Sequence, residues 1–324
     1  MLTRRAASWI ALALAWNVAW AAGFLGLVRA TRGPAYVAEH LPDGSWPDYW
    51  IIVMTLPFAL GPWLVSLAWR KWLYPDAEPA PSTLRGSPWL AAGWLTPVGA
   101  AWASAAVAHL AGWGAFDLGG ASIVVRKELG ATEAAALQAQ LDAAPLPYGV
   151  YVCISALVVS AMMYMPLRLA EEVGWRGVLD RELRPLGAWG SLVVGAVAWA
   201  VAQLPLAYLG FHVPGEGVNG MWALLAALVP LGVVLGWVRR AAGSPWASAA
   251  FLGTLSGLAG FHEVVLTVGT ASRQSLLGWP GAVVFGLLAL AAFVATRAGL
   301  VSAEAASTTP TERPIDLATT RDGA

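Results

Sequence analysis

Eight apolar runs, each separated from the next by a short polar or proline-bearing stretch, organise the chain: roughly 8–28, 49–69, 88–113, 149–170, 189–210, 220–238, 245–269 and 280–296. About 20 apolar residues in helical form cross a ~30 Å hydrocarbon core, and in lipid only helices or closed barrels satisfy their own backbone. The pattern predicts an all-α fold, a polytopic transmembrane helical bundle of about eight membrane-spanning helices. Within the longest polar stretch, 114–148, "ATEAAALQAQLDAA" (131–144) predicts a short connector helix between "GG" (119–120) and "PLP" (145–147). The stretch "YPDAEPAPSTLRGSP" (74–88) reads as an extended loop, and the Ser/Thr/Pro-rich tail 301–324 as disordered and cytoplasmic. Four regions follow: 1–148 as a three-helix membrane region with its outer loop, 149–270 as a core, 271–300 as the last helix, and the tail.

Charge sets the sidedness. With the N-terminus inside, the inner face holds Arg4, Arg5, Arg70, Lys71, Arg85, Arg168, Arg176, Arg181, Arg184, Arg239, Arg240, Arg297, Arg313 and Arg321, and the outer face holds only Arg29, Arg32, Arg126, Lys127 and Arg273. That bias predicts both termini in the cytoplasm. The chain is 58% hydrophobic and only 12% charged, about half the charge of a soluble domain at roughly 25%. Many of the 19 tryptophans lie near run edges (Trp46, Trp50, Trp69, Trp72, Trp89, Trp113, Trp246, Trp279), as an interfacial belt requires. The net charge of zero says nothing about nucleic acid, but no basic domain exists to bind it, so no nucleic-acid partner is expected; the lipid bilayer is the expected surroundings. Cys153, the only cysteine, excludes a disulfide framework and reads as a buried thiol. The first run exceeds the 7–15 apolar residues of a signal peptide and is taken as a retained helix.

The chemistry concentrates in "LRLAEEVGWRGVLDREL" (167–183), at the end of the fourth run. Ionisable residues at this depth are costly and turn toward the bundle interior or a water cavity. Glu172 and Arg176 are spaced i,i+4 and share a helix face, while Glu171 points about 100° away. The arginine can therefore neutralise one carboxylate and leave the other as a general base toward water. On position alone, an ion pair that locks this helix end to its neighbours accounts for the spacing equally well.

"EEVGWR" resembles the Glu-Glu-x-x-x-Arg signature of the CPBP family, intramembrane proteases that include CAAX prenyl endopeptidases and bacteriocin-processing or immunity proteins. The resemblance extends over roughly 149–270. "AWAVAQLPL" (198–206) is similar to the family's second element, with Trp199 where Phe is usual, Leu204-Pro205 retained, and Gln203 at the histidine position. "GSPWASAAFLGTLSG" (243–257) is similar to the third, with Leu252 at its histidine position and Ser256 at its Asn/Asp position. The family's first Glu and two His gather around a catalytic water, often described with zinc, in a cavity open to the cytosol. The resemblance implies catalytic roles for Glu171, Glu172 and Arg176, with Gln203 and Ser256 as polar cavity residues. It implies a membrane-anchored peptide or protein substrate and residence in a bacterial cytoplasmic membrane. It implies zinc, with Glu171 as a ligand, yet both expected histidine ligands are replaced; Gln is a poor zinc ligand and no base.

Of the four histidines, His40 falls in the first outer loop and His109, His212 and His262 near the outer ends of the third, fifth and seventh runs; an unbroken helix would put His212 about 13 Å beyond Gln203. An outer cluster of His109, His212, His262 and Glu263 is a second, weaker metal candidate. "GVVLG" (232–236) and "GTLSG" (253–257) have the small-xxx-small spacing of close helix contacts. No phosphate loop, Ser/His/Asp arrangement or inverted repeat supports a different enzyme or a proton-relay transporter. Two readings remain: an intramembrane endopeptidase in which Glu171 activates water, and a catalytically inactive relative acting as a membrane binding or immunity protein.

Overall fold

The computed structural model describes residues 3–41, 46–76, 88–126 and 130–300. The tail 301–324 and most of the loop 74–88 lie outside the described residues. α1 (Arg4–Arg32) begins on Thr3, whose hydroxyl accepts the Ala6 amide at 3.0 Å, and Gly33 turns the chain into α2 (Pro34–His40). α3 (Asp48–Trp72) packs back along α1 and carries Pro57 and Pro62 inside it. Trp16 and Trp20 of α1 donate to the carbonyls of Pro57 (3.0 Å) and Met54 (3.1 Å), so indole donors knit the pair together. After α4 (Pro88–Leu110), the outer loop carries α5 (Ala121–Arg126) and α6 (Ala131–Asp142), the expected connector helix.

The next element is one continuous 35-residue rod, Tyr148–Glu182. It is built from α7 (Tyr148–Val159), a π-helical segment Ser160–Tyr164, α8 (Met165–Glu172), a second π-helical segment Val173–Leu179, and α9 (Asp180–Glu182). Pro166 has no amide proton to give the carbonyl of Met162, and the ladder loosens where that bond is missing. Single π-turns inside α-helices recur at functional sites. Here they bracket the helix that carries both glutamates.

α10 (Gly187–Ala202) and α11 (Leu204–Tyr208) form the next crossing, broken at Gln203. Pro205 removes another amide donor, and Asn17 of α1 donates to the carbonyl of Ala202 at 2.8 Å. α12 (Gly217–Ala242) runs back and packs on α10. α13 (Pro245–Gly257), α14 (Phe261–Val265), α15 (Ala271–Gln274) and α16 (Trp279–Arg297) complete the chain.

Among the described residues, seven helical segments are long and apolar enough to cross a membrane. The difference from the expected eight lies at 245–269. α13 has only 13 residues, about 20 Å of helix, and is followed by a turn in which Gly260 adopts φ 78°. Every residue from Ala247 to Leu255 is buried. The half-length helix is tolerated because protein, not lipid, surrounds its open end. Beyond that turn the chain still meets the 114–148 connection, where Leu266 bridges Phe116.

Both small-residue motifs are close contacts. A Cβ on Gly253 would stand 2.9 Å from the Met165 backbone nitrogen, and one on Gly232 would stand 2.8 Å from the Ala196 Cβ. α13 thus lies directly on the π-segment and α8. Cys153 is buried, as expected. The tryptophan belt is only partial: Trp72 and Trp279 are exposed, whereas Trp46, Trp50 and Trp69 are core residues. Trp69 donates to Ser8 and Trp46 to the Leu209 carbonyl, which makes burial of the polar indole edge tolerable. At the end of α12, Arg240 binds Asp180, the Ser191 hydroxyl and the Ala188 carbonyl, clasping α12 to α9 and α10.

Candidate active site

Glu171 and Glu172 occupy the last turn of α8 and are 2% and 0% exposed. A carboxylate offers about four acceptor positions, and the surroundings of Glu171 use three. Its Oε1 accepts the Trp199 indole N–H at 2.6 Å and, at a long 3.5 Å, the Gln203 amide; its Oε2 accepts Arg168 Nη1 at 2.7 Å. Arg168 continues across the gap and donates from Nε to the Ser256 hydroxyl at 3.0 Å. Ser256 in turn donates to the Leu252 carbonyl at 2.8 Å, one turn back along α13. Three elements, α8, α10 and α13, thereby meet at one carboxylate.

Glu172 takes the separate role that the i,i+4 spacing implies. It pairs with Arg176 in the second π-segment, and the Arg176 guanidinium lies 4.4 Å over the Trp199 ring. Trp199 therefore serves both halves of the site, its edge binding Glu171 and its face covering the Arg176 cation. Glu171, Glu172, Arg176, Gln203 and Ser256 all fall in this one region. Arg168 and Trp199 belong with them and were not singled out from sequence as site residues. Arg168 stands i,i+3 from Glu171, a spacing visible in the sequence. Trp199 puts a larger indole where Phe is usual, and its N–H is the group used.

The outer histidines remain scattered. His109 meets the Gly114 carbonyl at 3.2 Å, and His262 stands 3.9 Å from Glu263. Among the described residues, no group of three or more His, Cys, Asp or Glu side chains could hold a metal ion. The break at Gln203 lets the chain leave the helix axis, and the partly buried His212 adopts φ 76°, the one positive φ at a non-glycine residue among those described. Its ring packs edge-on against Phe211 at 4.4 Å. Burial, and then the positive charge of Arg168, push its imidazole down from 6.5 to about 3, so it is neutral near pH 7.

Zinc does not fit these residues. It requires three or four His, Cys or carboxylate ligands. Here Glu171 is already the acceptor of three donors, Leu252 contributes only apolar surface, and Arg168 faces the carboxylate where a ligand set would close.

No curated protein matches the chain. Residues 148–258 match the family described as type II CAAX prenyl endopeptidase Rce1-like. The matched segment begins at the first residue of α7 and ends just after α13, so it contains every residue of the site above. The match covers about a third of the chain, and the segment of this integral membrane protein that builds the site is similar to the type II CAAX prenyl endopeptidase Rce1-like family.

Proposed function

We propose that the protein is a CPBP-type intramembrane endopeptidase, in which Glu171 activates water against a peptide bond of a membrane-anchored peptide or protein near the cytosolic face. The observation that carries this reading is the convergence of α8, α10 and α13 on one buried carboxylate that keeps about one acceptor position. In this scheme the remaining lone pair of Glu171 takes a proton from water as the water oxygen bonds to the scissile carbonyl carbon. The carbonyl oxygen becomes an oxyanion, toward which the second N–H of Gln203 and the unused edge of Arg168 would donate. Glu171 then returns the proton to the leaving nitrogen as the C–N bond breaks. Glu172 and Arg176 hold α8 and the Trp199 ring in place. No step passes through a metal ion. The positive-inside bias supports cytoplasmic termini and a site reached from that side.

The second reading, an inactive relative that binds a membrane protein or peptide, draws on Leu252 and Gln203 at the two histidine positions. The deciding experiment reconstitutes the purified chain in liposomes with membrane-tethered reporter peptides, one ending in a prenylated CAAX sequence and one without the lipid. The wild type should cleave at least one of them. Glu171→Gln should cut the rate by about 100-fold or more, the usual contribution of a general base. Equal turnover by the two proteins, or none by either, sinks the hydrolase and leaves the binding protein.

A further inference from the structure

The carboxylates of the site are already matched by cations, with buried Arg239 adding further positive charge near Glu172. Two carboxylates, Glu171 and Glu172, face two guanidiniums, Arg168 and Arg176, at the end of an apolar rod. A divalent ion added to this quartet would leave two uncompensated positive charges inside the bundle, which is strongly unfavourable away from bulk water. The acceptors a metal would use are also engaged. Arg168 holds Glu171 Oε2 at 2.7 Å and the Ser256 oxygen at 3.0 Å, while Trp199 holds Glu171 Oε1 at 2.6 Å. The planar guanidinium meets two acceptors on different helices at once, which a lysine ammonium on a flexible stem does poorly.

We propose that Arg168 is the resident cation of this site, standing where a metal ion would otherwise sit, and that it is a positioning residue that orients Glu171 and ties α8 to α13. It follows that the site is complete without metal. The side chain of Arg168 is 25% exposed, against 2% for Glu171, so the guanidinium also forms the boundary between the buried carboxylate and the surroundings.

The test uses the full chain purified in detergent, as wild type, Arg168→Met, Arg168→Lys, Glu171→Gln and the double variant Arg168→Met/Glu171→Gln. Zinc content is measured by elemental analysis, and unfolding midpoints are read with added zinc, with EDTA and with neither. The wild type is expected to carry far less than one equivalent of zinc, with a midpoint that neither zinc nor EDTA moves. Arg168→Met should lower the midpoint, and should lower it less than half as much in the Glu171→Gln background, because its partner is already neutralised. Arg168→Lys should fall between wild type and Arg168→Met. Near-stoichiometric zinc that EDTA strips and Glu171→Gln abolishes would overturn the proposal. So would equal effects of Arg168→Met in both backgrounds, since the side chain would then act without reference to Glu171. If Arg168→Met does not fold, the Arg168→Lys midpoint and the zinc content of the wild type still decide. None of these readouts is cleavage, so this inference and the proposed hydrolysis fail separately.

Discussion

Replacing Trp199 with Phe removes a single hydrogen-bond donor from the centre of the site and isolates what the indole contributes. The indole N–H reaches Glu171 Oε1 at 2.6 Å, and both residues are almost completely buried. A hydrogen bond to a charged group is worth about 1.5–3 kcal/mol, and the loss falls on a carboxylate that water does not easily reach. The smaller ring also leaves space, which adds about 1 kcal/mol. The ring face over Arg176 survives, because Phe still offers a π surface to the guanidinium 4.4 Å away, though less strongly than Trp. The sum is a loss of about 3 kcal/mol. Reversible unfolding in mixed micelles measures it, and repeating the substitution in Glu171→Gln isolates the pairwise part, expected at about 2 kcal/mol. A loss below about 0.5 kcal/mol, or a coupling near zero, would mean that the indole is a packing residue and does not support Glu171.

Three further outcomes follow from the same coordinates. Asp180→Asn should destabilise the chain by about 3–5 kcal/mol by leaving Arg240 buried and uncompensated; the double variant Asp180→Asn/Arg240→Met should recover much of that loss in the same unfolding assay. Gly253→Ala should cost about 1–3 kcal/mol through overpacking, since its Cβ would press on the Met165 backbone at 2.9 Å. Wild-type stability should fall as pH drops below 6.5, because the unfolded chain protonates His212 first while the folded imidazole stays neutral down to about 3. At pH 5 this amounts to roughly 2 kcal/mol at most, and nearer 1 for a partly exposed ring; His212→Asn should flatten that part of the pH profile.

The apolar periodicity was enough to specify an all-helical membrane bundle and most of its crossings, because lipid allows few other solutions to the backbone hydrogen-bond requirement. The Glu172–Arg176 pair was legible from i,i+4 spacing, and the close contacts of Gly232 and Gly253 from their small-residue motifs, since both are properties of a single helix face. The half-length α13 was hidden. A run of 25 apolar residues (245–269) reads alike whether lipid or protein surrounds it, and only the tertiary packing supplies the neighbours that make its break affordable. The break at Gln203 was hidden for a related reason: the apolar run 189–210 reads as one straight helix, while Pro205 permits the break and Asn17 of a distant helix supports it. Arg168 and Trp199 show the same division inside the site. Sequence could put Arg168 on the face of Glu171, but its second bond goes to Ser256, 88 residues away, and Trp199 reaches Glu171 across 28 residues. Local spacing determined which charges the rod carries. Which of them are satisfied, and by what, was decided only when three helices closed around one carboxylate.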